Sequence, residues 1–280
     1  MKDKHNKNQR LGLRFHQTFI PERHYISALL RFVENGGKGT NAEISDKTGI
    51  PTGKSSGKVP SIIKYCKSMG LIEIHGIGSS RALKLTDFGK SVFNKDPNLG
   101  KGITQLMAHL HLCRRIGGSE TWFLLFAKGD EKLGNDFSRN QLEDFLAGFF
   151  GRSKRSLIGP LIRTYEDPAA LKTAGVLIIN KHSILRKPVP LLRDFQYGFA
   201  AFLLELWENH FPETYQTTFT DFESETFWGT IHSWSDRRKE QALNLIRETG
   251  AIEIDKQMHP WVLTKTADSG VYWGHLYKEG

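Results

Sequence analysis

The stretch GKSSGKVPSIIKYCKSMGLIEI, Gly53–Ile74, decides how this chain is read. A polar, glycine-containing turn opens it. From Val59 to Met69 the apolar residues Ile62, Ile63, Cys66 and Met69 recur at helical spacing, and Gly70 follows as a helix stop. Leu71-Ile72-Glu73-Ile74 then switches to the alternation of a half-buried strand, and Arg81 to Leu85 returns as its partner across the loose turn GIGSS. Four lysines (Lys54, Lys58, Lys64, Lys67) and three serines (Ser55, Ser56, Ser61) fall within Gly53–Lys67 without one acidic residue. A helix entered from such a turn suits phosphate. The serines can bond phosphate oxygens, Lys54 and Lys58 would meet a nucleic-acid backbone, and Lys64 and Lys67 would flank it. Arg81 on the hairpin is placed for a minor-groove or phosphate contact. The same lysines would also serve as a plain solvated face.

Working upstream, Tyr25, Leu29, Leu30 and Phe32 mark a first helix that stops at Gly36-Gly37. Thr40 with Glu43 has capping-box spacing and opens a short helix from Asn41 to Thr48, closed by Gly49. Three helices followed by a two-stranded ribbon is the winged helix-turn-helix plan. The plan returns near the C-terminus. Glu240 to Glu248 reads as an amphipathic helix, Gly-Ala-Ile-Glu-Ile at 250–254 matches Gly-Leu-Ile-Glu-Ile at 70–74, and Trp261-Val-Leu-Thr264 answers the string ending at Thr86. Arg237, Arg238 and Lys239 open this second helix, with Trp234 just before them.

The expected fold is therefore mainly α with small sheets (α+β): winged-helix modules at residues 1–95 and 191–280, joined by a helical region at 96–190. In that region Ile103 to Arg115, Ser138 to Phe150 (Ser138 as cap) and Ser156 to Tyr165 read as helices, and Leu171 to Ile179 as a short helix feeding a strand. Pro188 and Pro190 mark a linker, and Arg193 to His210 a long buried helix.

The chain has 280 residues, 39% hydrophobic and 25% charged, enough for a real core and too ordered in composition for intrinsic disorder. Its longest apolar run, Phe199 to Leu206, is too short to span a bilayer, and the polar N-terminus reads as neither signal peptide nor anchor. Two cysteines, Cys66 and Cys113, lie in apolar helical patterns, which points to a reducing, cytoplasmic setting without disulfides or cysteine-held zinc. The net charge of +9 is unevenly spread: Asp194 to Asp236 holds eight acidic residues and no Lys or Arg. Lys54 to Lys90 holds seven basic residues against two acidic, and Arg152 to Arg193 nine against two. That asymmetry fits a polyanionic partner, double-stranded DNA, bound through its phosphates.

Chemistry is harder to place. The chain has no Walker loop, nucleophile elbow or zinc-protease helix. Asp221, Glu223 and Glu225 alternate. On a strand they would share one face and could hold a divalent metal for phosphodiester hydrolysis. At a helix start Asp221 is instead an N-cap, with Glu223 and Glu225 complementing the dipole; the aromatics Phe222, Phe227 and Trp228 favour this second reading. His16 and Arg23, just ahead of the first helix, read as tethers.

Several of these pieces together resemble the bacterial domain of unknown function 4007 family. They are Phe15-His16-Gln17-Thr18-Phe19, Gly53 to Ile72, Leu85-Thr86-Asp87-Phe88-Gly89, Asp96-Pro97-Asn98-Leu99, His109 to Cys113, Arg163-Thr164-Tyr165-Glu166-Asp167 and LKTAGVLI. They span most of residues 15 to 210. Gln17 stands where the family pattern has an acidic residue, and Cys66 where it has an aromatic one. The resemblance implies a DNA-binding component of a DNA phosphorothioation defence system, acting beside a cysteine desulfurase, an ATPase and a sulfotransfer protein. It further implies nicking of one DNA strand with Mg²⁺ or Mn²⁺ so that sulfur can be installed. The alternative is a non-catalytic winged-helix regulator or targeting adaptor.

Overall fold

The computed structural model describes residues 10–53, 57–76, 81–151, 155–257 and 259–278. Its first part runs α1 (Arg23–Glu34), β1 (Lys38–Gly39), α2 (Asn41–Thr48), α3 (Lys58–Ser68), β2 (Ile72–His75) and β3 (Arg81–Leu85), with antiparallel strands in the order β1-β3-β2. The predicted capping box forms: Thr40 Oγ1 accepts from the Glu43 amide at 3.3 Å, and the Glu43 carboxylate accepts from the Thr40 amide at 2.6 Å. α4 (Asp87–Lys95) and α5 (Gly102–Cys113) follow.

The region expected to be helical then repeats the same order. A helical run comprising α6 (Glu120–Phe123), a π turn and α7 (Asp130–Leu133) leads into β4 (Asp136–Phe137), α8 (Arg139–Phe150), α9 (Arg155–Glu166), β5 (Leu177–Ile179) and β6 (Ile184–Arg186). The strand order is β4-β6-β5. Ser138 caps α8 through a second capping box, with Gln141 as the reciprocal partner. The middle region is thus a third copy of the module rather than a helical connector.

The last copy comprises α10 (Gln196–His210), β7 (Gln216–Thr218), α11 (Phe219–Thr226), α12 (Trp228–Ile231), α13 (Asp236–Glu248), β8 (Ile252–Asp255) and β9 (Val262–Lys265), with strand order β7-β9-β8, and closes with α14 (Ser269–Trp273). In every copy the short first strand ends at a hydroxyl residue that caps the next helix: Thr40, Ser138 and Thr218. Asp221 is therefore not the cap of α11. Thr218 is, with its Oγ1 accepting from the Asp221 amide at 3.0 Å.

A shared clasp fixes the hairpins. Gly70, Gly175 and Gly250 take left-handed conformations at φ +72°, +67° and +80°, a region natural to glycine. The backbone amides of Thr86, Lys187 and Thr266 reach back to the residue after that glycine (Leu71, Val176, Ala251) at 3.2, 2.9 and 3.2 Å. In the outer copies the threonine hydroxyl also donates to the glycine carbonyl, each time across 16 residues. The counterpart of Thr86 is thus Thr266, two residues beyond the Thr264 that string matching selects.

Two nearly all-buried helices, α5 and α10, lie at the centre of the core. Trp122, Trp207, Trp228 and Trp273 are fully buried around them, each contributing about 2–3 kcal/mol by leaving water. The Pro188–Pro190 segment is pinned rather than loose: the Val189 amide donates to the His232 carbonyl at 2.9 Å, and the Trp234 indole donates to the Val189 carbonyl at 2.8 Å.

Candidate nucleic-acid interface

Three faces of α3 are built into the core. Val59, Ile62, Ile63, Tyr65 and Cys66 are fully buried, and the Tyr65 hydroxyl donates to the Phe19 carbonyl at 3.1 Å. The outer stripe is Pro60, Lys64 and Lys67, at the i, i+4, i+7 spacing of one helix face. Neither Lys64 nor Lys67 has a hydrogen bond or ion pair among the described residues. The other predicted contacts of this module are placed differently. Lys58 pairs with Glu22 at 2.8 Å and lies over the Tyr25 ring at 4.6 Å. Ser61 is fully buried, with its hydroxyl turned away from any surface phosphate. Arg81 donates to the Asn41 side chain at the start of α2. Lys54, Ser55 and Ser56 lie outside the described residues.

In the last copy α13 opens with Asp236 after the Ser235 cap position. Arg237 is exposed and Arg238 half-buried, and neither has an ion-pair partner among the described residues. Lys239 is drawn inward, 3.5 Å from Glu223 and 3.2 Å from Asp236. Trp234, beside this helix start, is a core residue. The predicted cationic set thus divides into groups with a partner in the fold (Lys58 and Lys239 on carboxylates, Arg81 on the neutral Asn41 side chain) and groups with none among the described residues (Lys64, Lys67, Arg237, Arg238).

The alternating carboxylates lie on α11, a helix, so the three do not share one face: Asp221 and Glu225, four residues apart, lie on one side and Glu223 on another. Asp221 accepts from the Thr218 hydroxyl at 2.7 Å. Glu223 turns inward and accepts from the amides of Gly229 and Thr230 at 2.7 and 3.0 Å and from the Thr230 hydroxyl at 2.9 Å, holding the first turn of α12. Glu225 pairs with Arg115 at 2.8 Å. Each has its own partner, and no cluster of three or more metal-ligating side chains occurs among the described residues. This donor set does not fit a Mg²⁺ or Mn²⁺ ion as arranged.

Sequence reasoning missed a second polar centre. A cleft of about 600 Å³ opens between the first module and α10 and α14, lined by Lys67, Glu73, Lys90, Arg114 and Glu208 among others. At its base Glu205 accepts from His111 Nε2 at 3.2 Å, from the Trp273 indole at 3.0 Å and from Arg114. Burial opposes the charge on Glu205, but His111 and Arg114, with the Trp273 indole, outweigh it and hold the carboxyl down to about 2. The cue was the His111-x-x-Arg114 spacing at the end of α5, which puts both side chains beside α10.

The motif pieces singled out in the sequence meet in the interior. Tyr165 Oη lies 2.6 Å from His109 Nδ1 and accepts from the Trp122 indole at 2.8 Å, and the Trp122 ring is 6.4 Å from that of His16. Cys113 Sγ lies 3.6 Å from His109. Arg23 donates to the carbonyls of Asn98 and Pro168 at 3.1 and 2.8 Å, joining the first and middle copies. Burial pushes His16 down to about 4 and His109 and His232 down to about 3, with His232 further depressing His109. These residues hold the modules together.

Fold and surface define an α+β protein built from repeated small-sheet modules with unpaired cations on two equivalent helices. No family model matches the chain, and no curated protein sequence does. Solved structures with this fold include the magnesium-bound crystal structure of SspB, at a TM-score of 0.70 and 12% identity over 97% of this chain and 88% of that one. A second SspB crystal structure gives 0.70 and 13% over 95% and 87%. No described helix is long and apolar enough to cross a membrane.

Proposed function

We propose that this chain is a winged-helix DNA-binding component of a DNA phosphorothioation system, gripping duplex DNA through its first and last modules. The observation that carries the reading is the unpaired cationic stripe Lys64/Lys67 on α3, together with unpaired Arg237/Arg238 at the start of α13, the equivalent helix of the last copy. The helix–strand–helix–helix–hairpin order of each copy supports the winged-helix assignment. The SspB-like fold over nearly the whole chain supports the phosphorothioation setting; a cysteine desulfurase, an ATPase and a sulfotransfer protein as partners rest on the family resemblance alone. Counterion release by these four groups makes affinity fall steeply with salt. Replacing Lys64, Lys67, Arg237 and Arg238 by alanine should weaken duplex binding at least tenfold and lower the slope of log affinity against log salt by about 3. Unchanged affinity and slope in a fluorescence-anisotropy titration would sink the reading.

Strand nicking rests on the family resemblance, whereas the dispersal of Asp221, Glu223 and Glu225 to separate partners favours the adaptor alternative. Supercoiled plasmid incubated with pure protein and Mg²⁺ or Mn²⁺, with a chelator control, separates the two. Chelator-sensitive relaxed circles establish a nickase, and intact supercoils with firm binding establish an adaptor.

A further inference from the structure

The three copies carry three hairpins in equivalent positions, and their charge differs sharply. In the last copy the β8–β9 hairpin displays Glu253 and Asp255. Its lysines are occupied, Lys256 by Glu240 at 2.9 Å and Lys265 by Asp268 at 2.9 Å. In the first copy Glu73 is paired across the ladder with Lys84 and lies 3.0 Å from His75. The middle hairpin carries no carboxylate on its own two strands, and Asp136 lies on the neighbouring strand β4 opposite Leu185. Residues 168–193 contain five Lys or Arg and no acidic residue. Two of the five are used structurally: Arg186 is buried and bound to Asp130 and to the carbonyls of Leu125 and Gly134, and Arg193 pairs with Glu248 at 3.1 Å. The other three, Lys172, Lys181 and Lys187, are exposed and have no hydrogen bond or ion pair among the described residues.

Their placement follows from the fold. Lys181 lies in the tight turn closed by the Asn180 amide on the Ser183 carbonyl at 2.8 Å, so it marks the hairpin tip. Lys187 follows β6 opposite Val176, and Lys172 lies in the 3-10 turn just before β5, so both mark the base. Leu177 and Ile184 face inward while Ile178 is exposed, and period-2 alternation puts Lys187 on the same outer face as Ile178. Cations at the tip and base of one ribbon that has no carboxylate of its own suit the evenly spaced phosphates of a nucleic-acid backbone, and the exposed Asp136 of β4, opposite Leu185, is a single negative charge beside three positive ones. Buried Arg186 anchors the ribbon to the loops around Asp130 and Gly134.

We infer that the β5–β6 hairpin of the middle copy is a phosphodiester-binding wing, a third contact with the duplex beside α3 and α13. This rests on the nucleic-acid reading above and extends it to a region the sequence assigned to a connector. Three lysines each neutralising one phosphate correspond to a salt slope of about 2–3. The test is duplex binding, with a probe of about three helical turns, by the full chain carrying Lys172→Ala, Lys181→Ala and Lys187→Ala. The expected result is roughly tenfold weaker binding and a slope lowered by about 2–3, with an unchanged melting temperature. The matching Lys→Arg triple should retain both affinity and slope. If the alanine triple binds as the parent does while the Lys64/Lys67/Arg237/Arg238 variant loses affinity, the hairpin site is wrong and the wider reading stands. If the unaltered chain shows no salt-dependent binding, the wider reading and this wing fall together.

Discussion

The first and last modules share a skeleton down to the hydrogen bonds of their hairpin clasp, yet differ in what surrounds it. Around Gly250 the space is nearly open: an added methyl would meet only the Tyr272 hydroxyl, at 3.8 Å. Around Gly70 the same methyl would overlap the ring of His111, which is itself held by Glu205 and by the Met107 carbonyl. The difference teaches that the module's backbone plan needs only a few local devices, a hydroxyl cap and a left-handed glycine. Each copy's neighbours decide what that plan is used for. The first copy is wedged against α5 and keeps Lys64 and Lys67 unpaired, with Lys67 bordering the cleft that faces α10 and α14. The last copy wraps α10 and spends Lys239 on an internal carboxylate.

Acid should break both copies away from their shared interior, and this is the largest effect expected. His16, His109 and His232 ionise at about 4, 3 and 3 in the folded chain, against an ordinary value near 6.5. Above pH 6.5 they are neutral folded or unfolded and cost nothing. As pH falls from 6.5 toward 4 the unfolded chain takes up protons that the buried rings refuse. His210, which burial also holds down to about 4, behaves in the same way, so stability drops by about 1.4 kcal/mol per pH unit for each histidine, roughly 5 kcal/mol per unit for the four. Glu205, held down to about 2, adds to the loss below about pH 4.5. Denaturant melts between pH 7 and 5 should show this fall, and His232→Leu should reduce its slope by about a quarter whatever it does to stability at pH 7. A profile flat over that range would mean that the histidine layer is solvated and does not join the modules.

The two glycines test the comparison more directly. Gly250→Ala should cost about 1 kcal/mol, the strain of a side chain in the left-handed region. Gly70→Ala adds displacement of a buried, hydrogen-bonded ring and should cost about 3 kcal/mol. Chemical denaturation of the two variants measures the gap. Equal losses would show that His111 yields freely and that the first module is not wedged against α5.

How much of this was legible in the sequence depends on period and length. The short helix capped by Thr40 and the α3–β2 junction were readable because cap, apolar spacing and glycine all agree there. The final hairpin was found but slid by two residues, onto Thr264 instead of Thr266. A shift of two keeps every side chain on its face, so burial pattern cannot detect it; only the 16-residue clasp does. The middle copy escaped notice because β4 has two residues and β5 and β6 three each. Val176-Leu-Ile-Ile179 also lacks alternation, although Gly175 before it and the Ser138–Gln141 box carried the signal. The inward turn of Lys58, Lys239 and Ser61 depends on Glu22, Glu223 and packing around α3, partners remote in sequence that no local pattern names.

The smallest expected effect sharpens the account of α11. The i, i+2, i+4 spacing of Asp221, Glu223 and Glu225 is compatible with strand or helix, but the burial of Phe222 and Thr226, four residues apart, is helical. Removing charge while keeping shape then separates a cap partner from a metal ligand. Asp221→Asn should cost only a few tenths of a kcal/mol, because Thr218 is the cap and asparagine can still accept its hydroxyl. Glu223→Gln should cost about 1 kcal/mol, since the half-buried Lys239 keeps only the exposed Asp236 as counter-charge and the α12 amides face a weaker acceptor. Thermal melts in chelator compare the two. If Mg²⁺ raises the melting temperature of the parent and Asp221→Asn abolishes that rise, the carboxylate is a ligand after all, and its hydrogen bond to Thr218 is secondary.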